Sequence, residues 1–538
     1  MSPQDEAGTG AATASAADRA AASAARGPVP VVTPRRRRIS AAGLIELIAD
    51  PGTYRSWDAA PEEPDLGDDY REELAAAAAK SGVDESIVTG EALIAGRRVV
   101  LIASEFAFLA GSVGVAAAER FVQAMERATA ERLPVLASVA SGGTRMQEGA
   151  VAFVAMVKIS AAVAAHLADG LPYLTYLRHP STGGALASFG SLGQVTVAEP
   201  GALVGFLGPR VYEALYGERF PDGVQSAENL ARHGIIDGVL PPEELRDVVE
   251  RVLGILDRPA RAELLALAAD PGSAGSDPAG SIATWDSVTR TRDRRRPGLR
   301  DLLRRAATDV VPLSGTGQGE RDPGLALCLA RFRGVPCVVV GQDRRIQRAL
   351  APLGPGALRA ARRAVHLAEE LQLPLVTVID TPGAALSQTA EEGGLASEIA
   401  HCLADLVAHR GPTVSVLLGE GTGGGALALL PADRILAAEH AWLSPLPPEG
   451  ASAIVYRDTE HAEELAEQQG VVSGRLRTAG VVDRIVAELP DAADESEAFC
   501  VRMGDAIGQE LATLLLQHPD RRKLHRDEKF RLLGRGLA

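Results

Sequence analysis

The chain has 538 residues, a formal net charge of −15, 46% hydrophobic residues and only 4% aromatics. That length exceeds one ordinary core and implies roughly two to four domains. The acidic balance argues against a nucleic-acid partner, which needs a basic face, and the abundance of Ala, Val, Leu and Gly suits tightly packed α/β layers.

In chain order, residues 1–39 read as a disordered tail rich in Ala, Ser and Pro, with Arg35 to Arg38 as a solvated basic run. The tail lacks the apolar core of a signal peptide, and Asp5, Glu6 and Asp18 argue against a transit sequence. No stretch reaches the ~18 uninterrupted apolar residues of a membrane span. A cytoplasmic chain with no membrane partner is expected. Cys328, Cys337, Cys402 and Cys500 stand apart, without the close pairs of a zinc site. They read as packed thiols, and no metal is expected.

Residues 40–260 form a first half. An apolar run at 99–103 precedes a helix-like stretch to Arg132, and a strand over 134–140 stops at Ser141-Gly142-Gly143. A second strand at 171–177 leads to Thr182-Gly183-Gly184-Ala185, a third covers 194–198, and the half closes around Asp237. Residues 261–283 read as a linker, since 269–282 is rich in Gly, Ser, Ala, Asp and Pro. Residues 284–515 repeat the pattern, with a strand ending at Thr381-Pro382-Gly383, another leading to Gly424-Gly425-Ala426, and a close around Asp483. A basic C-terminal tail occupies 516–538. The landmarks recur 240 residues later (Gly143 to Gly383), then 241 (Gly183 to Gly424) and 246 (Asp237 to Asp483). So small a drift indicates duplication.

A strand that stops at a glycine turn and feeds a helix leaves backbone N–H groups open at the helix N-terminus, where an anion or a developing oxyanion can sit. Gly419 to Gly424 also fits a G-x-G-x-x-G dinucleotide fingerprint. A Rossmann site would leave the first half unexplained. No Ser/His/Asp or Cys/His set stands near the turns; if the chemistry uses oxyanion holes and no protein base, the substrate pair must handle the proton itself.

Four segments of the first half are specific: Glu105-Phe-Ala-Phe-Leu-Ala-Gly-Ser-Val-Gly114, Ser141-Gly-Gly-Thr-Arg-Met-Gln-Glu148, Pro180-Ser-Thr-Gly-Gly-Ala-Leu-Ala-Ser188 and Gly205-Phe-Leu-Gly-Pro-Arg210. They resemble the carboxyltransferase β subunit of bacterial acetyl-CoA carboxylase. Ile379-Asp-Thr-Pro-Gly-Ala384, Ala390-Glu-Glu392, Gly419 to Ala428 and the segment ending Pro448-Glu-Gly450 resemble its α subunit. The chain looks like a fusion of the two. One departure is Gly341-Gln-Asp-Arg-Arg345, which replaces a Gly-Arg segment of the α subunit.

The resemblance implies an α/β fold of two crotonase-like β-spiral domains. It implies transfer of a carboxyl group from carboxybiotin to acetyl-CoA or a related acyl-CoA. By matched motif, the amides of Gly142 and Gly143 would hold the thioester enolate oxygen, and those of Gly425 and Ala426 the biotin ureido oxygen. Gly183, Gly184, Arg145, Gly383 and Gly424 would line the substrates. None of Lys80, Lys158, Lys523 and Lys529 lies in a Met-Lys-Met-like site, so biotin must arrive on a partner. Biotin carboxylase and a biotin carboxyl carrier protein are the expected partners, in a homodimer or higher homo-oligomer. A decarboxylating relative of the malonate decarboxylase kind and a non-catalytic scaffold remain as alternatives.

Overall fold

The duplication seen in the sequence is repeated strand for strand in a computed structural model, which describes residues 38–61, 67–270, 272–274 and 283–534. Residues 1–37 of the expected tail, residues 62–66, residues 271 and 275–282 of the expected linker, and residues 535–538 lie outside them.

Each half holds an eight-stranded sheet of the same topology. In the first, Arg55–Ser56, Ile87–Ile94 and Arg97–Ser104 pair antiparallel. Val135–Ser141, Tyr173–Thr182, Val195–Ala198 and Gly238–Val239 then follow in parallel, and Val204–Gly205 branches from Tyr173–Thr182. In the second, Ala307–Leu313, Leu325–Phe332 and Val335–Gln342 make the antiparallel edge. Leu375–Thr381, Thr413–Thr422, Arg434–Ala438 and Arg484–Val486 continue in parallel, with Trp442–Ser444 branching from Thr413–Thr422.

The parallel strands read as unbroken apolar runs because helices cover both faces. Val135–Ser141 and Leu375–Thr381 are buried along their whole lengths. Amphipathic helices Val115–Ala130 and Pro355–Glu370 turn their Ala-rich faces inward, letting helix and sheet approach closely. The two aspartate landmarks have a structural cause. Asp237 accepts the Thr196 N–H at 2.9 Å, and Asp483 accepts that of Ile435 at 2.7 Å. Each carboxylate thus satisfies a strand amide that its neighbour leaves open.

The halves belong to one compact unit, residues 40–538. Arg363 of the second half pairs with Asp237 at 3.0 Å, and Ser314 donates its N–H to the same carboxylate at 2.9 Å. The segment read as linker opens with helix Arg261–Ala269, packed on helix Ser496–Leu515. The segment read as a basic tail contains helix Pro519–Leu532. There Arg522 and Arg526 are buried beside Asp433, at 3.5 and 3.7 Å, so its basic residues anchor it to the second half. All four cysteines are free and buried, as expected of packed thiols.

Candidate functional site

In the first half the strand Val135–Ser141 ends in a turn where Gly143 takes φ 111°, a conformation that favours glycine. Beside it starts the short helix Gly183–Leu186. The two backbones touch: a Cβ on Gly143 would stand 3.3 Å from Gly183 Cα, and one on Gly183 3.0 Å from Gly143 Cα. The second half repeats this with Gly383 at φ 130° and helix Gly423–Leu427. A Cβ on Gly425 would meet Ala384 Cβ at 3.5 Å and Ala384 N at 3.6 Å. The turn and the helix start are therefore brought together in both halves, although they lie some forty residues apart in sequence.

Which N–H groups stay open decides what these turns can bind. Gly142 donates its N–H to Ala110 O at 2.9 Å, and Gly143 donates to Ser141 Oγ at 3.0 Å. The amide pair expected to hold the first oxyanion is thus already committed inside the fold. Gly383 is committed in the same way, to Thr381 Oγ1 at 3.1 Å, and Gly183 donates to Phe206 O at 2.9 Å. Ala426 is the fourth residue of its helix, at the position where the N–H closes the first turn onto Thr422. Among the described residues, the Thr144 and Ala384 amides make no backbone bond outside the helices and strands, and Gly184 and Gly425 stand in the first turns of their helices, where the N–H groups have no intrahelical acceptor. Each half therefore presents one open N–H from its turn and one from its helix start, at positions 240 and 241 residues apart. Gly424 also belongs to that first helical turn. A Cβ there would come within 2.7 Å of Ile399 Cδ1, so this glycine packs closely against the end of that side chain.

A model of the carboxyl transferase domain matches residues 63–523. The chain belongs to the carboxyl transferase family. It is 57% identical over 498 residues to a probable biotin-dependent acyl-coenzyme A carboxylase beta3 subunit of Mycobacterium tuberculosis, covering 92% of this carboxyltransferase and 99% of that protein. It is 37% identical to the acetyl-coenzyme A carboxylase carboxyl transferase subunits beta/alpha of Salinispora tropica, over 92% and 91% of the two chains. A crystal structure of transcarboxylase 12S with methylmalonyl-coenzyme A bound superimposes with TM-score 0.70 at 20% identity, over 89% of this chain and 90% of that one. That likeness carries the duplicated crotonase-like fold.

Arg145 of the carboxyltransferase, expected at the substrate, lies instead in the protein interior with 1% exposure. Its guanidinium pairs with Glu85 and reaches Glu148 at 3.2 Å and Ser112 O at 2.9 Å. The Tyr70 hydroxyl donates to the same Glu148 at 2.6 Å. This network clamps the loop that follows Gly143, because a buried guanidinium is tolerated only when its donors are taken. In the second half, Asp380 lies 3.4 Å from Arg344, which also reaches Glu420 at 3.4 Å. Burial pushes both carboxyls upward, while Arg344 and Arg348 pull them down.

Sequence reasoning missed Thr144 and Ala384 because neither is a glycine. The signal was present in their shared spacing from the two turns. Burial pushes the Cys328, Cys402 and Cys500 thiols up to about 12, far from the nucleophilic range. Among the described residues, no cluster of His, Cys, Asp and Glu could hold a metal ion.

Proposed function

We propose that this carboxyltransferase moves a carboxyl group from carboxybiotin to acetyl-CoA or a related short acyl-CoA, inside a biotin-dependent acyl-CoA carboxylase. The observation that carries this reading is the pair of open amides in each half, because two enolate oxygens develop in the transfer and each needs its own donors. Carboxybiotin, carried on a partner, supplies the carboxyl group and, after releasing CO2, the base for the α-proton. The Thr144 and Gly184 amides hold the thioester oxygen, and those of Ala384 and Gly425 hold the ureido oxygen. Two kept oxyanion sites speak against a scaffold. The names of the Mycobacterium and Salinispora relatives support the biotin-dependent acyl-CoA class.

The surface around the open amides favours a paired assembly. Met146 and Leu386, three residues after Gly143 and Gly383, are 83% and 93% exposed. Val151, Phe153, Val154 and Val157 lie exposed beside the first site, and Leu427, Ile454 and Val455 beside the second. Apolar rims of this kind are buried in a partner. A two-fold pair that seats the first half of one copy on the second half of the other covers both, and forms each reaction chamber from two chains. The stretch Met146–Ala168 is apolar and long enough to cross a membrane, with mean hydropathy 1.9. In this reading its outward stripe is part of that contact, in a cytoplasmic enzyme working with a biotin carboxylase and a biotin carboxyl carrier protein.

Purified chain supplied with a carboxylated carrier and acetyl-, propionyl- and longer acyl-CoAs is expected to yield the carboxylated thioester. Release of CO2 without any carboxylated product, for every acyl-CoA tried, would overturn the proposal in favour of a decarboxylating relative.

A further inference from the structure

The departure noted at Gly341-Gln-Asp-Arg-Arg345 has a precise place in the fold. Gln342 ends the strand Val335–Gln342, and its side chain is fully buried. Its Nε2 donates to Gly425 O at 2.6 Å, and its Oε1 accepts the Asp380 N–H at 3.2 Å. Gly425 belongs to the helix start that carries one open amide. Asp380 is the penultimate residue of the strand Leu375–Thr381, which leads through Pro382 to Gly383 and the other open amide at Ala384.

The bond to Gly425 replaces one that the helix does not make. In a regular helix the Gly425 carbonyl would accept from the N–H of Leu429. Here the Leu429 N–H goes to Ala426 O at 3.2 Å. The side chain of Gln342 holds the Gly425 carbonyl instead, and so fixes the backbone of a residue whose missing side chain gives it unusual freedom.

Among its described residues the first half shows no equivalent. Val100 pairs with Val135 just as Val338 pairs with Leu375, and this register puts Ser104 where the second half has Gln342. A serine hydroxymethyl group is too short to span two segments. The first half closes the same gap by direct contact of the Gly143 and Gly183 backbones.

We propose that Gln342 is a positioning residue that holds the Ala384 and Gly425 amides in register, and that it acts on the biotin side of the reaction only. The inference rests on the reading of those amides as the ureido-oxygen site. Gln342 touches no substrate, and removing it leaves both donors present but free to move apart.

The test uses the reverse transfer, from malonyl-CoA or methylmalonyl-CoA to free biotin, which needs no carrier protein. Gln342→Met keeps the length of the side chain and loses both bonds. Gln342→Glu keeps the acceptor for Asp380 and loses the donor to Gly425, and it stands in if the Met variant does not fold. Either variant is expected to lower the rate at saturating thioester about 10–100-fold, below the 10²–10³ loss of removing a donor outright. The KM for the thioester should stay within about twofold, since the first-half amides are untouched. Gly425→Val, whose Cβ would stand 3.6 Å from Ala384 N and whose branches block the approach to both donors, is assayed in parallel and separates the two levels of the argument. A dead, folded Gly425→Val beside a fully active, folded Gln342→Met overturns the role of Gln342 alone. A fully active, folded Gly425→Val overturns the ureido-oxygen site and the inference with it. A rise in thioester KM that matches the loss in rate would show general distortion, and also overturns the positioning role.

Discussion

Behind the first turn, the loop is held by Arg145 between Glu85 and Glu148, and the Thr182 hydroxyl donates to Ser141 O at 3.2 Å. Behind the second, Gln342 and the buried set of Asp380, Arg344 and Glu420 occupy the corresponding region, while the Thr422 hydroxyl has no partner among the described residues. The main chain is the same in both places: a glycine at positive φ, a hydroxyl accepting its N–H, and a helix starting alongside. Backbone geometry has few solutions, whereas many arrangements of side-chain charge can satisfy a buried strand end. Duplication therefore kept the first and replaced the second.

The largest contrast concerns stability. Arg145→Met leaves Glu85 and Glu148 buried with no cation, which should cost about 3–5 kcal/mol. Arg344→Met leaves Glu420 with Arg348, and Asp380 with the Glu420 N–H at 3.2 Å, so about 1–3 kcal/mol is expected. Denaturant titration of both variants gives the comparison, and equal losses would show that the two clusters carry the same load.

The second contrast is in activity. A Cβ on Gly425 meets only ordinary contacts, whereas one on Gly184 would come within 2.6 Å of Thr144 Oγ1. Gly425→Val, whose side chain grows from a Cβ 3.6 Å from Ala384 N and blocks the approach to both donors, should therefore keep most of the wild-type Tm and lose about 10²–10³ in rate, and Gly184→Ala should lose both rate and some stability. Co-expressing the two then tests the paired assembly. With random pairing about half of the dimers are mixed, each with one intact chamber, so roughly a quarter of wild-type activity should return. If mixed dimers form without any recovery, each chain builds its chamber from its own two halves.

The smallest contrast vanishes at neutral pH. Burial, with Arg526 and Arg522 nearby, lowers His409 to about 4. The folded protein therefore keeps this ring neutral, and the unfolded chain takes up a proton first once the pH falls below about 6.5. Stability is complete above that value and declines as the pH drops toward 4. His166 in the first half is also lowered by burial, but its ring lies 2.9 Å from Thr129 Oγ1 and 3.3 Å from Pro172 O. His409→Gln should flatten the fall in Tm between pH 7 and 5 more than His166→Gln does. Parallel Tm profiles for His409→Gln and wild type would show that another group carries the acid sensitivity.

The duplication, the strand ends and the glycine turns were legible in the sequence, because a tight turn after a buried strand demands glycine locally and a repeat displays that demand twice. The open amides were not legible. Whether an N–H is free depends on acceptors brought in from elsewhere: Ala110 takes that of Gly142, and Phe206 that of Gly183. The same holds for Arg145, which the family resemblance placed at the substrate, and which Glu85, sixty residues earlier, draws into the interior. The sequence by itself determined two homologous α/β halves, a family and the glycine turns at which the transfer is proposed to occur. The tertiary structure alone decided which donors remain for a substrate, because hydrogen bonds are allotted by distance in space and the competing acceptors lie far away along the chain.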